Sequence, residues 1–425
     1  MESLRASDLP LRQARSRLSV VIRIISIMIA CGTLSFAGDF KVLHAFSGNQ
    51  GDGMNPFGIP TVSPNGVVYG TTWLGGNLNC SGGFGFGCGE VFEIAPPTSG
   101  KGAWHYAPIY EFTGGSDGGF PTTPVTLDNT GRVYGITNNN TIGFGAALSL
   151  YQLTPVPSLP DHPSALWTYK DLYDFPNGVG PSTPLLIDGS GALYGVGAYS
   201  SESYNAVLQF VPTQSGPWIE NVVYQFTGGA DGGGPAAIVM DSTGTIYGIA
   251  SYGGNNDNGT VFEIQPNPGG TWTFSVLCSF TGSPDRYPYT LALDSSGNLY
   301  GLAANNSSGW SEIFELSPNN GTWTESILYL FRTKQFSGYA PDTLAAAPDG
   351  TLYGTVSGDP DFYGGALFAV APPAGQGGWT LGVVHNFNTG AFSQPNGVAI
   401  APNGDVYGTS TDANGDVYEF TPGGQ

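Results

Sequence analysis

Short apolar runs alternate with polar turns along almost the whole chain. Residues 288–331 show the pattern best. Tyr289 to Asp294 is a short apolar run, read as strand A. Asp294-Ser295-Ser296-Gly297 is a turn, with Asp opening it and Gly where a positive φ is wanted. Asn298 to Leu302 reads as strand B and carries a Tyr-Gly step. After an Asn/Ser/Gly loop, Glu312 to Leu316 reads as strand C, stopped by Pro318. Gly321-Thr322-Trp323 then turns into strand D, which runs to Phe331. Short β-branched and aromatic runs bounded by such turns are strand signals.

The unit repeats. Tyr-Gly occurs at Tyr69, Tyr134, Tyr194, Tyr247, Tyr300, Tyr353 and Tyr407, at spacings of 65, 60, 53, 53, 53 and 54 residues. A proline precedes each tyrosine by 12 or 13 residues. Tryptophan opens strand D at Trp104, Trp167, Trp218, Trp272, Trp323 and Trp379, and phenylalanine closes it. Four short antiparallel strands repeated in this way predict a β-propeller. The chain ends sharpen the prediction. The seventh unit stops after strand C at Pro422, while Phe40 to Phe46 has the strand-D pattern with no strands A to C before it. The expected fold is therefore all-β: a seven-bladed β-propeller of four-stranded antiparallel blades, closed by the N-terminal strand completing the last blade. An open solenoid is the alternative, but its end units should look like caps.

Composition changes the picture at the N-terminus. Residues 1–37 read as a signal peptide, with Arg12, Arg15 and Arg17 before an apolar stretch and Ser35-Phe36-Ala37 as a small-x-small cleavage site. Arg23 interrupts the stretch and spoils a membrane span. Met28-Ile29-Ala30-Cys31 is a loose lipobox, so a lipid anchor at Cys31 is the second reading. The propeller then occupies 38–425. Removing five arginines and two acids takes the net charge from −20 to −23. That balance argues against nucleic acid and anionic membrane surfaces as partners, since both need a cationic patch. A secreted or cell-surface monomer is expected.

The run Ser251-Tyr252-Gly253-Gly254 leading to Gly259-Thr260-Val261-Phe262-Glu263 resembles the GloVer-type tandem repeat of exported bacterial proteins. The resemblance covers essentially the whole mature chain. It implies a propeller-like repeat architecture and carries no assigned activity or catalytic residues.

Candidate chemistry gathers where the D–A and B–C connections emerge on one face, since ligands usually meet a scaffold at its loops. Asp52, Asp117, Asp231 and Asp285 precede the D–A prolines in Gly-rich settings. They read either as calcium ligands or as turn caps. The turn reading is preferred, because no loop has the alternating spacing of a calcium loop; no other cofactor is expected. The B–C loops carry Trp73, Tyr199, Tyr204, Tyr252, Trp310 and Tyr363 among Asn, Ser and Gly. Flat rings and amides suit a glycan, or an extracellular protein partner; packing that supports the loops is the plain alternative. His44 and His385 share one repeat position and read as packing residues. No histidine pair has zinc spacing. Glu93, Glu263, Glu315 and Glu419 recur on strand C as a solvated or amide-pairing position. Cys80 and Cys88 are expected to form a disulfide in an exported chain, and Cys278 a buried thiol. The expected function is an exported binding or scaffolding module, with glycan the first ligand and catalysis not expected. The alternative is a polysaccharide hydrolase or lyase with acids at the channel mouth.

Overall fold

The computed structural model describes residues 36–423, apart from 83–84, 99, 139–147, 157–165, 177–179, 198–204, 282–285, 306–309, 332–340, 358–364, 376, 388–393 and 412–413. Seven four-stranded antiparallel sheets form a seven-bladed β-propeller. In blade 5 the strands are A (Arg286–Leu293), B (Leu299–Asn305), C (Trp310–Asn319) and D (Thr322–Phe331). Strand C runs through Pro318 rather than stopping there. Past Leu316 it has no partner on the B side, so a proline costs no ladder bond.

The N-terminal strand closes the ring as expected. Gly38–Ala45 pairs antiparallel with Asp416–Pro422, from Gly38 opposite Pro422 to Ala45 opposite Asp416. It is strand D of blade 7, outside A (Pro395–Ile400), B (Val406–Ser410) and C (Asp416–Pro422). Hydrogen bonds also cross between neighbouring blades. Thr61 Oγ1 donates to the Val125 carbonyl (2.5 Å), Tyr289 OH to that of Pro341 (2.5 Å) and Thr409 Oγ1 to that of Gly58 (2.8 Å).

Strand A shrinks to two residues in blades 2 and 3, Thr126–Leu127 and Leu186–Ile187. Each has an extra proline just upstream, Pro124 or Pro184, and so lacks an amide donor. A side chain substitutes in part. The hydroxyls of Thr123 and Thr183 accept the strand-B amides of Ile136 and Val196, both at 3.2 Å.

The Tyr-Gly step is explained by what lies on either side of it. Tyr134, Tyr194, Tyr300, Tyr353 and Tyr407 are buried. In blades 2, 3 and 5 the hydroxyl donates to the aspartate that opens the A–B turn: Tyr134 to Asp128 (3.1 Å), Tyr194 to Asp188 (2.8 Å), Tyr300 to Asp294 (3.2 Å). The other oxygen of each aspartate takes the amides two and four residues on, which fixes the turn. Strand C supplies a second partner: Gln152 and Gln209 donate to Tyr134 and Tyr194 at 2.8 Å, while Tyr407 donates to Glu419 at 2.8 Å. The recurrent strand-C acid or amide is therefore a tyrosine partner.

The glycine makes room. At Gly70, Gly135, Gly248, Gly301, Gly354 and Gly408 an added Cβ would overlap the strand-C ring, which is Phe92, Tyr151, Phe262, Phe314, Phe368 or Tyr418. Those rings are fully buried. Gly301→Ala should cost about 1–3 kcal/mol, as overpacking of a filled core does. Gly189→Ala, where nothing lies within 4 Å of the new methyl, should stay within about 0.5 kcal/mol of wild type. Denaturant unfolding of the two variants checks this; equal midpoints would remove the seat as the reason for the glycine.

Candidate functional site

Strand A starts, B ends, C starts and D ends at one rim of the ring, so the D–A and B–C connections share that face. Three of the D–A aspartates are described there, each inside a turn. Asp52 accepts the Ser47 amide at 2.8 Å and the Ser47 hydroxyl at 2.5 Å. Asp117 takes the Thr113 amide at 2.9 Å and its hydroxyl at 2.5 Å. Asp231 takes those of Thr227 at 2.8 and 2.5 Å. Each is also held by the residue two before the strand-D phenylalanine: His44 on Asp52 (3.0 Å), Tyr110 on Asp117 (3.0 Å), Tyr224 on Asp231 (3.1 Å). Burial pushes the Asp52 and Asp231 carboxyls up, but these donors outweigh it and hold both below the usual range. Asp285 lies outside the described residues. Among the described residues, no three His, Cys, Asp or Glu side chains group as a metal site would need.

The B–C aromatics divide. Trp73 is 37% exposed and Trp310 40%, each at the rim end of its strand. Trp73 stands 6.2 Å from the Phe120 ring. Phe86, 58% exposed, sits in the neighbouring loop, which hydrogen-bonds back to strand B (Gly75 N to Phe86 O, 2.8 Å). The Cys80–Cys88 disulfide pins that loop. Tyr252 is half-buried, its ring lying against Gly233 and Gly234 of its own blade. Tyr199, Tyr204 and Tyr363 lie outside the described residues. Cys278 is half-buried, and burial together with the Glu325 carboxylate pushes its thiol up to about 12.

One cluster under this rim was not singled out from the sequence. Glu90, the first residue of strand C in blade 1, is fully buried. Its Oε1 takes the Tyr106 hydroxyl and its Oε2 has no partner. Glu111 stands directly across the ladder from it. Tyr106 stacks on His44 at 3.8 Å, and His44 reaches Asp52. Burial pushes the Glu90 carboxyl up to about 8; the Asp52 and Glu111 carboxylates add to the rise and the Tyr106 hydroxyl opposes it. The equivalent strand-C position holds Ser149, Ala206, Thr260 and Ala366 in four other blades. Blade 7 has Asp416 there, so four blades carry small residues and three carry acids, and the sequence offered only a weak signal. In blade 5 the position is Glu312, which is paired with Arg286.

The sequence model of a family described as the Gloeobacter/Verrucomicrobia repeat matches residues 81–311. No curated protein matches the chain. Among solved structures it is similar to an ancestral GH74 enzyme, at 12% identity and TM-score 0.51 over 87% of this chain and 48% of that one. The chain thus spans about half the length of that enzyme. A protein from Lactobacillus plantarum is similar at 13% identity and TM-score 0.46, over 86% of this chain and 98% of that one. A luciferin-regenerating enzyme is similar at 13% identity and TM-score 0.40, over 91% and 95%.

Glu90 makes stability depend on pH. Its carboxyl titrates near 4.5 when unfolded and near 8 when folded, so the folded state holds the extra proton between those values. Stability should therefore fall as pH rises from about 4.5 to about 8. Glu90→Gln should flatten that fall and raise the melting temperature at pH 8, read by thermal unfolding across pH. An unchanged slope would mean that the buried carboxyl is ionised throughout.

Proposed function

For a chain that belongs to the Gloeobacter/Verrucomicrobia repeat family, we propose a role as an exported binding module whose D–A/B–C rim takes a glycan. The observation that carries this is the exposure of Trp73, Phe86 and Trp310 on strand ends and a disulfide-pinned loop. Sugar rings stack on such platforms without ordering a mobile loop, so little entropy is lost on binding. In this reading Tyr252 is a further candidate, as are Tyr199, Tyr204 and Tyr363 from their place in the sequence. The arginine-led residues 1–37 and the disulfide support export, since disulfides persist in oxidising compartments. Among the described residues no helix is long and apolar enough to cross a membrane.

One observation favours a second reading, a polysaccharide hydrolase or lyase. Glu90 and Glu111 converge, and Glu90 is held protonated near neutrality, as a general acid must be. Glu90 is fully buried, however, so a substrate would need the rim to open first. The binding role is therefore preferred.

A glycan-array screen of the secreted protein, with calcium and again with chelator, tests the proposal. Binding that survives chelator and drops at least tenfold in Trp73→Ala or Trp310→Ala is expected. Binding lost with chelator would transfer the ligand role to Asp52, Asp117, Asp231 and Asp285. No binding in either buffer would sink the glycan and leave an extracellular protein as partner. Sugar cleavage abolished by Glu90→Gln would promote the enzyme.

A further inference from the structure

One contact recurs at the seams between blades. The residue two before the strand-D phenylalanine leans on strand D of the next blade. Tyr110 lies 5.1 Å from the Tyr169 ring, and Tyr224 stacks on Phe274 at 3.8 Å. Tyr173 donates to Glu220 at 2.5 Å, and Cys278 Sγ stands 3.7 Å from the Glu325 carboxylate. Histidine fills this position in blades 6 and 7 alone, as His385 and His44; the other five blades have tyrosine or cysteine. Those two blades set both flanks of the closing strand. His385, on strand D of blade 6 (Thr380–Asn386), stacks on Phe40 of the closing strand at 3.6 Å with the rings coplanar. His44, on the closing strand itself, stacks on Tyr106 of blade 1 at 3.8 Å. An imidazole thus joins the closing strand to each of its neighbours.

The two imidazoles sit in different electrostatic settings. Asp52 holds His44 at 3.0 Å, as Asp117 and Asp231 hold Tyr110 and Tyr224. A proton gained by His44 therefore meets a carboxylate. The segment that follows His385, from Asn386 to Gln394, contains no acid. Around His385, Phe387 stands edge-on at 4.9 Å and Leu367 lies across the ladder on strand C. On the far side, Phe40 packs against Tyr418 at 5.1 Å. Burial raises the Tyr418 hydroxyl, so it stays neutral. Asp39 and Lys41 flank Phe40 on the closing strand, but alternation turns them to the opposite face, and both are exposed. Burial pushes the half-buried His385 imidazole down, and no neighbouring charge adds to that or opposes it.

We propose that His385 makes the closing strand a proton-sensitive latch: in acid the seam between blades 6 and 7 loosens, while the seam between blades 7 and 1 holds. A charged imidazole between Phe40 and Phe387 loses hydration and gains no counter-ion. The Phe40 face returns part of that loss as a cation–π contact. Moving the strand aside returns all of it as water. In the opened seam the imidazole titrates near its ordinary 6.5, and in the closed seam lower. Closure is therefore strongest above about 6.5 and weakens as pH falls below it. At the other flank, protonation strengthens the pair of His44 with Asp52, and protonation of Glu90 favours blade 1 in the same direction. The five tyrosine and cysteine seams gain no charge in this range. The latch lies on the outer strands and does not rest on the glycan reading.

Hydrogen exchange of the whole protein tests the latch, read by mass spectrometry at about pH 7.5 and about pH 5 and corrected for the intrinsic chemical rate. The ladder amides that join Gly38–Ala45 to Asp416–Pro422 should open at least threefold faster in acid, and those of blade 3 no faster. His385→Tyr installs the residue that blades 1, 2, 3 and 5 use and should remove the acceleration. His44→Tyr should keep it. If His385→Tyr does not fold, His385→Gln, which cannot gain the proton, takes its place with the same expectation. Equal rates in the wild type overturn the proposal, as does slower exchange in acid, which would mean that the Phe40 face holds the charge. Acceleration that persists without His385, or that vanishes with His44→Tyr, overturns it as well.

Discussion

The ring depends on a steric seat: a bare backbone on strand B with a large aromatic ring pressed against it from strand C. Six of the seven blades use it. The neighbouring tyrosine then points to the other side of the sheet, where it ties the A–B turn to strand C. One dipeptide thus fixes both faces of a strand. The glycine lets a ring approach that no side chain would permit, and the tyrosine spends its hydroxyl on the turn aspartate. This is why a motif of only two residues recurs so strictly while the loops around it vary.

Much of this was legible because a propeller repeats. Seven copies of Tyr-Gly, each with its own proline, turn and closing phenylalanine, gave blade number, strand order and the N-terminal closure. Register detail was less legible. Pro318 looked like a strand stop because the end of strand B opposite it is invisible in the sequence. The short inner strands of blades 2 and 3 depended on single extra prolines. The site was legible only in part. Turn roles for Asp52, Asp117 and Asp231 followed from local chemistry, whereas Glu90 escaped notice because its meaning lies in what surrounds it. Its neighbours His44, Asp52 and Tyr106 come from the closing strand, a loop and another strand, so no local pattern unites them.

The two ends of the blades have different characters. The D–A/B–C rim carries the exposed rings and, beneath them, a carboxyl that burial keeps neutral. The A–B end carries tight aspartate or proline turns and an apolar cavity of about 450 Å³ lined by Ile59, Val125 and Leu185 among others. Departures from the repeat mark both ends. Glu90 is a buried acid at a position that four blades fill with small residues, and Gly38 stands where six blades have tryptophan, with the Phe420 ring beside it. In a repeat protein such exceptions carry more information than the rule, because the rule is already accounted for by packing.

The closing strand sets a temporal order on the molecule. Its partner, Asp416–Pro422, is made after the six other blades, so blade 7 is the last of the seven to be completed. Earlier blades can form as they emerge, but the circle stays unsealed and His44 cannot settle over Tyr106 in its final setting until both ends meet. The ring works as a clasp fastened after its other six blades are made. Any process that must handle the chain as a thread has until that moment to do so.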